Sequence, residues 1–211
     1  MAEKKIKLTR TELKTQRDAL ARFKRYLPTL KLKQQQVQSS ILRIRQQHAK
    51  VQEATESAKQ RVATYQGLFN DVAGIDVQTL AQPAQVETGT QSIAGIGVPQ
   101  FKKVHFPTAD FSLFGTAPWI DRALVDLRQI SQLSAELDVI ETGLNLLLAE
   151  LKKVMQRVNL FAKIMIPQTQ DNIRRIRIAV GDQMTAGVAR AKIAKAKLEL
   201  KAHLARKALP V

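Results

Sequence analysis

In the second half of the chain, apolar residues recur at alternating steps of three and four without a polar exception. The eleven positions are Ile130, Leu133, Leu137, Ile140, Leu144, Leu147, Leu151, Val154, Val158, Phe161 and Met165. An average repeat of 3.5 residues sustained for this long gives a narrow apolar seam, which is typical of a coiled coil rather than of a globular-protein helix. The chain therefore needs a second helix to cover this seam.

The first third of the chain carries a second seam with the same repeat. Its first heptad position holds Leu13, Leu20, Leu27, Gln34, Ile41, His48, Thr55, Val62 and Phe69, and its fourth holds Gln16, Phe23, Leu30, Val37, Ile44, Val51, Ala58 and Tyr65. Thirteen of these seventeen positions are apolar. A compact globule is disfavoured because aromatic residues make up only 5% of the chain, and disorder is disfavoured because 45% is hydrophobic.

The residues between the two arms have a different composition. Six of the nine glycines and four of the seven prolines fall within residues 67–118. The segments 92–99 and 101–106 are typical of short strands bounded by Gly and Pro, so we expect a small β-hairpin within about 84–107. Because its residues belong to neither seam, we expect the helical arms to fold without it.

Two helical arms joined by a compact middle must fold back on each other. The sequence therefore predicts an all-α-dominated protein, a long antiparallel two-helix coiled coil with a small middle region that contains the hairpin. The expected divisions are 1–69 for the N-terminal arm, 70–118 for the middle and 119–211 for the C-terminal arm. The principal seam residues are Leu13, Leu20, Leu27, Leu30, Ile41, Ile44, Ile130, Leu137, Leu144, Leu147, Leu151 and Val158.

Two prolines lie inside the predicted helices. Pro167 removes a backbone donor and crowds the preceding turn, so we expect a kink or local unwinding there, and the same at Pro28. Beyond Pro167 the apolar series resumes one residue out of phase. Its members are Ile166, Ile173, Ile176, Val180, Met184 and Val188.

The positive charge is concentrated at the two ends of the chain. The whole chain has a formal charge of +16; residues 1–33 contribute +8, residues 152–211 contribute +11, and residues 34–151 contribute −3. An antiparallel pairing brings the two basic ends together as a tip, where like charges repel. Nucleic acid or an enclosing protein collar with an acidic or polar lining would offset that repulsion. The expected tip residues are Arg10, Lys14, Arg17, Arg174, Arg175, Arg190, Lys192 and Lys195.

Motifs for catalysis are missing from the sequence. It contains no cysteine, no phosphate-binding Gly-x-x-x-x-Gly-Lys-Ser/Thr run, and three histidines without metal-ligand spacing. We therefore expect neither an enzyme nor a bound cofactor or metal. No stretch approaches the roughly 20 apolar residues that span a bilayer, so direct membrane insertion is not expected. Few aromatic residues lie near the basic tip, so base stacking lacks support.

Two segments resemble the D subunit of V-type (archaeal-type) ATPases. The first is Thr9-Arg10-Thr11-Glu12-Leu13 with Leu20 and Leu30-Lys31-Leu32-Lys33-Gln34; the second is Arg157-Val158-Asn159-Leu160-Phe161 with Ile166-Pro167-Gln168. The matching stretches cover roughly residues 9–37 and 150–180. The sequence departs from the family pattern at Tyr26, Pro28 and Gln156, and in Leu160-Phe161-Ala162.

The resemblance implies a non-catalytic rotor shaft in the central stalk. Such a subunit inserts its termini into a ring of catalytic and non-catalytic nucleotide-binding subunits. It also binds a small second stalk subunit and docks on a funnel-shaped subunit above the membrane rotor. It would be cytoplasmic and peripheral to the membrane, transmitting torque without nucleic-acid contact. Two alternatives stay open at this point: the stalk of a secretion-type ATPase, and a basic coiled-coil protein that binds nucleic acid, which a salt titration would reveal.

Overall fold

The computed structural model describes residues 6–70, 76–109 and 115–207. Helix α1 spans Arg10–Ala63 and is followed by a 3₁₀ turn at Gln66–Asn70 and a short helix α2, Val77–Leu80. Strands β1, Gln85–Ile93, and β2, Ile96–His105, form a hairpin. Helix α3 spans Trp119–Asn159, a π-helical turn follows at Leu160–Met165, and α4 spans Ile166–Lys207. The predicted fold class, two long helical arms with a β-hairpin between them, is confirmed.

The chain forms two compact units. One combines Met1–Leu30 with Arg157–Val211, and the other is Lys31–Gln156.

In the unit Lys31–Gln156, α1 and α3 pack antiparallel. The hydroxyl of Tyr65 donates to Asp126 (2.6 Å), and Val37 and Ile41, much earlier in α1, share an apolar cluster with Leu147, late in α3. Residues near the end of α1 therefore contact the beginning of α3, and earlier residues of α1 contact later residues of α3. All five residues of α1 that are buried occupy the predicted heptad positions: Val37, Ile41, Thr55, Ala58 and Val62.

The hairpin rests on this pair of helices. Val98 is buried in the same cluster as Val37, Ile41 and Leu147, and Ile93, Ala94 and Ile96 pack around it. The expectation that the helical arms fold without the hairpin assumed that its residues lie outside the core, and that assumption is wrong. Removing the hairpin would uncover part of the cluster around Val37 and Leu147, each 0% exposed.

The hairpin turn lies earlier than the sequence suggested. The segment 92–99 is not one strand but contains the turn, since Ile93 pairs with Ile96 and the two residues between them have positive φ. Ala94 has φ 51° and Gly95 has φ 76°, as a tight two-residue hairpin turn requires. A bulge interrupts the register between Glu87 and Thr88.

A second apolar cluster closes the opposite end of the same unit. Its buried members are Val77, Ala81, Ile120, Ala123 and Leu124. Arg128 joins the segments around it, because its Nε donates to the carbonyl oxygen of Leu80 (3.2 Å) and its Nη2 to that of Pro107 (2.6 Å). The same guanidinium lies 5.3 Å from the centre of the Phe106 ring, so one side chain ties α3 to both chain segments that flank the hairpin.

The two helix prolines have different effects. The π turn immediately precedes Pro167, so the predicted local unwinding at that position is confirmed. Helix α1 remains α-helical through Pro28, so local unwinding does not occur there, and the alternative, a kink at Pro28, stays a prediction. The heptad of α1 continues unbroken across Pro28, whereas the apolar series changes phase at Pro167.

In the unit Met1–Leu30 with Arg157–Val211, the beginning of α1 lies beside α4. The N–H of Glu12 donates to the side chain of Thr9 (3.2 Å), which caps α1. Further along, the rings of Phe23 and Phe161 approach to 5.4 Å. Ile176 is fully buried in this unit.

Candidate functional site

The C-terminal part of α4 has no covering helix among the described residues 6–70, 76–109 and 115–207. Val180 is still half-buried, but every residue from Gly181 to Ala202 is exposed. The sequence predicted that the seam would continue to Met184 and Val188; the structure corrects this, because they are 54% and 59% exposed. We call residues 181–202 the exposed C-terminal segment.

Pairing ends where α1 begins. Thr9 and Arg10, at the start of α1, line a shallow cleft with Val180, Gln183 and Met184 of α4. The seam of α4 loses its partner beyond this level, since α1 starts at Arg10. At 1.5 Å per residue, the 22 residues of the exposed C-terminal segment extend about 33 Å.

The exposed C-terminal segment combines apolar and basic side chains. Its large apolar residues, each more than half exposed, are Met184, Val188, Ile193, Leu198 and Leu200. Its basic residues are Arg190, Lys192, Lys195, Lys197 and Lys201. Large apolar side chains exposed on more than one side of a helix indicate a surface that a partner covers.

The eight predicted tip residues are all exposed: Arg10, Lys14, Arg17, Arg174, Arg175, Arg190, Lys192 and Lys195. Two of them interact within α4. The Nε of Arg190 donates to the carbonyl oxygen of Ala186 (3.3 Å), and Lys195 lies 3.8 Å from Glu199 in an exposed ion pair. Arrangements of this kind leave long basic side chains free to rearrange around a partner.

The twelve predicted seam residues lie in the helices at differing depth. Ile41 and Leu147 are buried and the other ten are half-buried. The structure brings five of them into one cluster: Ile41, Ile44, Leu144, Leu147 and Leu151. The remaining seven, Leu13, Leu20, Leu27, Leu30, Ile130, Leu137 and Val158, lie outside that cluster.

The sequence reasoning missed three residues. Thr169 is 5% exposed and its hydroxyl donates to the carbonyl oxygen of Met165 (2.6 Å), although a polar residue at that position carried no signal. Gly143, buried under the hairpin, did carry one, because glycine in the interior of a helix is unfavourable unless close packing requires it. No sequence pattern indicates that Arg128 donates hydrogen bonds to two backbone carbonyl groups.

Two side chains have shifted ionisation. Burial and the hydrogen bond to Asp126 raise the pKa of Tyr65 to about 12. Hydrogen bonds from the side chain and backbone of Thr79 hold the pKa of Asp76 below its ordinary value. Asp76 caps α2 and Tyr65 donates a hydrogen bond to α3, so each pKa shift arises from a contact that holds the fold together.

Metal-binding and membrane-spanning features do not occur in the described residues. No group of three or more His, Cys, Asp or Glu side chains there could hold a metal ion. None of the helices in the described parts of the chain is long and apolar enough to cross a membrane.

Comparison with known proteins decides the family. The sequence profile of the ATP synthase D subunit matches residues 12–196. The chain belongs to the family of ATP synthase D subunits. It is 37% identical to the V-type ATP synthase D subunit of Borreliella burgdorferi, over 92% of this chain and 95% of that protein. It is 30% identical to the V-type ATP synthase D subunit of Chlamydia pneumoniae and 32% identical to that of Chlamydia muridarum.

Coverage of the relatives is nearly complete. The matches to the two chlamydial proteins span 93% and 92% of this chain, and 94% and 96% of their own lengths. Family membership makes the chain a subunit of a V-type ATPase complex.

Proposed function

We propose that this subunit is the non-catalytic shaft of the central stalk, which transmits torque between a nucleotide-binding ring and the membrane rotor. The observation that carries the proposal is the exposed C-terminal segment, which extends a paired helix by 22 residues that nothing in the described chain covers. A partner must shield its apolar side chains, and a ring that encloses the helix can do so on every side.

The charge distribution supports an enclosing partner. The unit that carries the exposed C-terminal segment is strongly basic, with a net charge of +6 over residues 1–30 and +9 over residues 157–211. Exposed basic side chains form weak ion pairs, each contributing about 0–1 kcal/mol. A surface held by many such contacts can exchange them as it turns, whereas a few deep contacts would lock it.

Family resemblance supplies the remaining partners of the proposal. The ring would alternate catalytic and non-catalytic nucleotide-binding subunits, a small second stalk subunit would bind along the helices, and a funnel-shaped subunit would link the shaft to the membrane rotor. No cofactor is assigned to the chain itself, and its attachment to the membrane would be through these partners.

The absence of cysteine makes a crosslinking test clean. Ile193, 57% exposed in the middle of the exposed C-terminal segment, is changed to Cys, and a second Cys is placed on the inner wall of the ring. We expect disulfide formation in the assembled complex to stop ATP hydrolysis, and reduction to restore it, because a shaft fixed to the ring cannot turn.

A matched control uses Val125→Cys, since Val125 is 66% exposed on α3 in the other unit. We expect no crosslink to the ring cysteine and normal hydrolysis. Continued hydrolysis by a complex in which the Ile193→Cys variant is fully crosslinked would contradict the rotor assignment.

A further inference from the structure

The π turn, Leu160–Met165, lies within a helical stretch that runs from Trp119 to Lys207. The N–H of Ile166 donates to the carbonyl oxygen of Phe161, five residues earlier, where an α-helix would use the residue four earlier. Asn159 and Ile166, on either side, keep right-handed helical backbone angles. The turn therefore holds one residue more than an α-helical turn, and the helix resumes directly after it.

The spacing of buried residues indicates what the extra residue does. Ile140, Leu147 and Val154 are buried at steps of seven, and Thr169 and Ile176 are also seven apart. The step from Val154 to Thr169 is 15 residues, two heptads plus one. Because a heptad position recurs only every seven residues, two residues that are 15 apart in an uninterrupted α-helix do not share one. The π turn absorbs this extra residue.

Pro167 accounts for the position of the turn. Its ring supplies no N–H and, in an α-helix, would collide with the carbonyl of Lys163, four residues earlier. A widened turn just before the ring is one way in which a helix accommodates such a collision. The extra residue and the proline thus occupy adjacent places in the same stretch of helix.

The π turn has one face packed and one face open. Phe161 of the turn packs against Phe23 at 5.4 Å between ring centres, and Ala162 and Met165 are half-buried. None of the turn's residues is fully buried, and Leu160 and Ile164 are 44% and 54% exposed.

A cavity of about 540 Å³ opens beside the π turn, lined by Gln16, Phe23 and Thr169 among others. The hydroxyl proton of Thr169 is used within its own helix. Because no residue of the turn is fully buried and a cavity lies beside it, local opening at this level uncovers less apolar surface than it would at Leu147 or Ile176.

We propose that the π turn is a conformational joint, where the helix opens and re-forms locally while the seams on both sides stay paired. Its extra residue keeps the heptad positions on both sides in register, so the joint opens and closes as a π turn and does not convert to an α turn. The joint is a property of the isolated chain and does not depend on the function proposed above.

Two single-residue deletions in the full chain test the phase assignment. Deleting Ala162, inside the π turn, makes the step from Val154 to Thr169 two heptads. Deleting Ala149, in the regular part of α3, displaces Leu151 and Val154 from the seam. We expect the Ala149 deletion to melt about 10 °C lower than the unaltered chain or more. The Ala162 deletion should lose stability only through the collision of the Pro167 ring that an α turn restores.

A further variant separates the proline from the phase shift. Adding Pro167→Ala to the Ala162 deletion removes the ring collision. The melting temperature of the combined variant should be close to that of the unaltered chain even if the Ala162 deletion alone lowers it. Such a result would show that the proline ring caused the lower melting temperature and that the extra residue belongs to the π turn. If the combined variant melts as low as the Ala149 deletion, the assignment is overturned.

Hydrogen exchange tests the opening directly. We expect amides in residues 160–168 of the unaltered chain to exchange about tenfold faster than those in 150–158, and to slow by about tenfold when Ala162 is deleted. Equal protection of the two segments in the unaltered chain would show that no joint opens there.

Discussion

A β-carbon at position 143 would lie 2.8 Å from Cγ1 of Val98, closer than real carbon contacts allow. The next nearest atom, the carbonyl oxygen of Pro99, would lie at 3.7 Å. The missing side chain of Gly143 is therefore what allows β2 to rest against α3. Val98 can fill the space between Ile41 and Leu147 only because of this gap in the helix surface.

We expect Gly143→Ala to destabilise the chain by about 1–3 kcal/mol, the usual effect of overpacking. Helix propensity alone would favour alanine by about 1 kcal/mol, so a net loss isolates the contact with Val98. Denaturant unfolding measures the change, and adding Val98→Ala should recover part of it.

Gly181→Ala is the matched control, because a β-carbon there meets nothing within 4 Å and the position is also inside a helix. We expect this variant to gain about 0.5–1 kcal/mol. If both glycine variants gained equally, the hairpin would not rest on α3 in solution.

The buried centre of the seam should tolerate a charge poorly. Leu147 is 0% exposed between Leu144 and Leu151, so Leu147→Asp places a carboxylate in an apolar cluster and should cost about 3 kcal/mol or more. Lys152→Asp, at an exposed site, should change stability by about 0.5 kcal/mol or less. Equal melting shifts for the two variants would mean that the seam register is wrong.

The helices and the hairpin could be predicted because their signals are local. The repeat of 3.5 residues and the Gly and Pro between the arms are visible along the chain. The contact between Val98 and Gly143 joins residues 45 positions apart and depends on which face of the helix pair meets the hairpin. In the sequence, the only sign of this contact is that Gly143 interrupts a helical pattern.

Helix geometry at the prolines depends on phase as well as on residue type. Both prolines lack the same donor, yet α1 continues through Pro28, where the heptad positions Leu27 and Leu30 keep their register. At Pro167 the seam also carries an extra residue, which α-helical geometry cannot absorb. The end of pairing near Val180 was not predictable from α4 alone, since it is set by where α1 begins.

The hairpin turn contains a strained residue. Ala94 has φ 51°, a backbone conformation that costs a non-glycine residue about 1–2 kcal/mol. We expect Ala94→Gly to stabilise the chain by up to about 1 kcal/mol, measured by denaturant unfolding. Gly95→Ala, at φ 76°, should destabilise it instead. The two substitutions should therefore change the free energy of unfolding in opposite directions. If Ala94→Gly lowered the free energy of unfolding, packing of the Ala94 methyl group would outweigh the backbone strain.

Tyr65 should give the chain a specific alkaline sensitivity. Its pKa is raised from 10.0 to about 12 in the folded state, so its contribution is fully present below pH 10 and is lost as pH rises toward 12. Tyr65→Phe loses the hydrogen bond to Asp126 and should cost about 1 kcal/mol at neutral pH. The difference in stability between the two chains should shrink from pH 10 to 12; a constant difference would contradict the raised pKa.

Function at the basic tip should depend on the whole surface and not on one residue. Arg10 and Arg190 are exposed, and an exposed ion pair contributes only about 0–1 kcal/mol. We therefore expect Arg10→Ala and Arg190→Ala to leave ATP hydrolysis and ion transport of the reconstituted complex nearly unchanged.

Truncation from Arg190 onward should behave differently. It removes the apolar Ile193 and Leu198 together with all five basic residues of the exposed C-terminal segment, but leaves intact the paired helices up to Val180. Because the pairing is retained, the subunit should still assemble into the complex in part. Because the length of helix that the proposed ring would enclose is shortened, ion transport per ATP hydrolysed should fall more than hydrolysis itself. Measuring both in the same vesicles separates the two effects. If a single arginine change abolished turnover, the tip would be taking part in the chemistry of the ring, and a surface of many exchangeable contacts would not describe it.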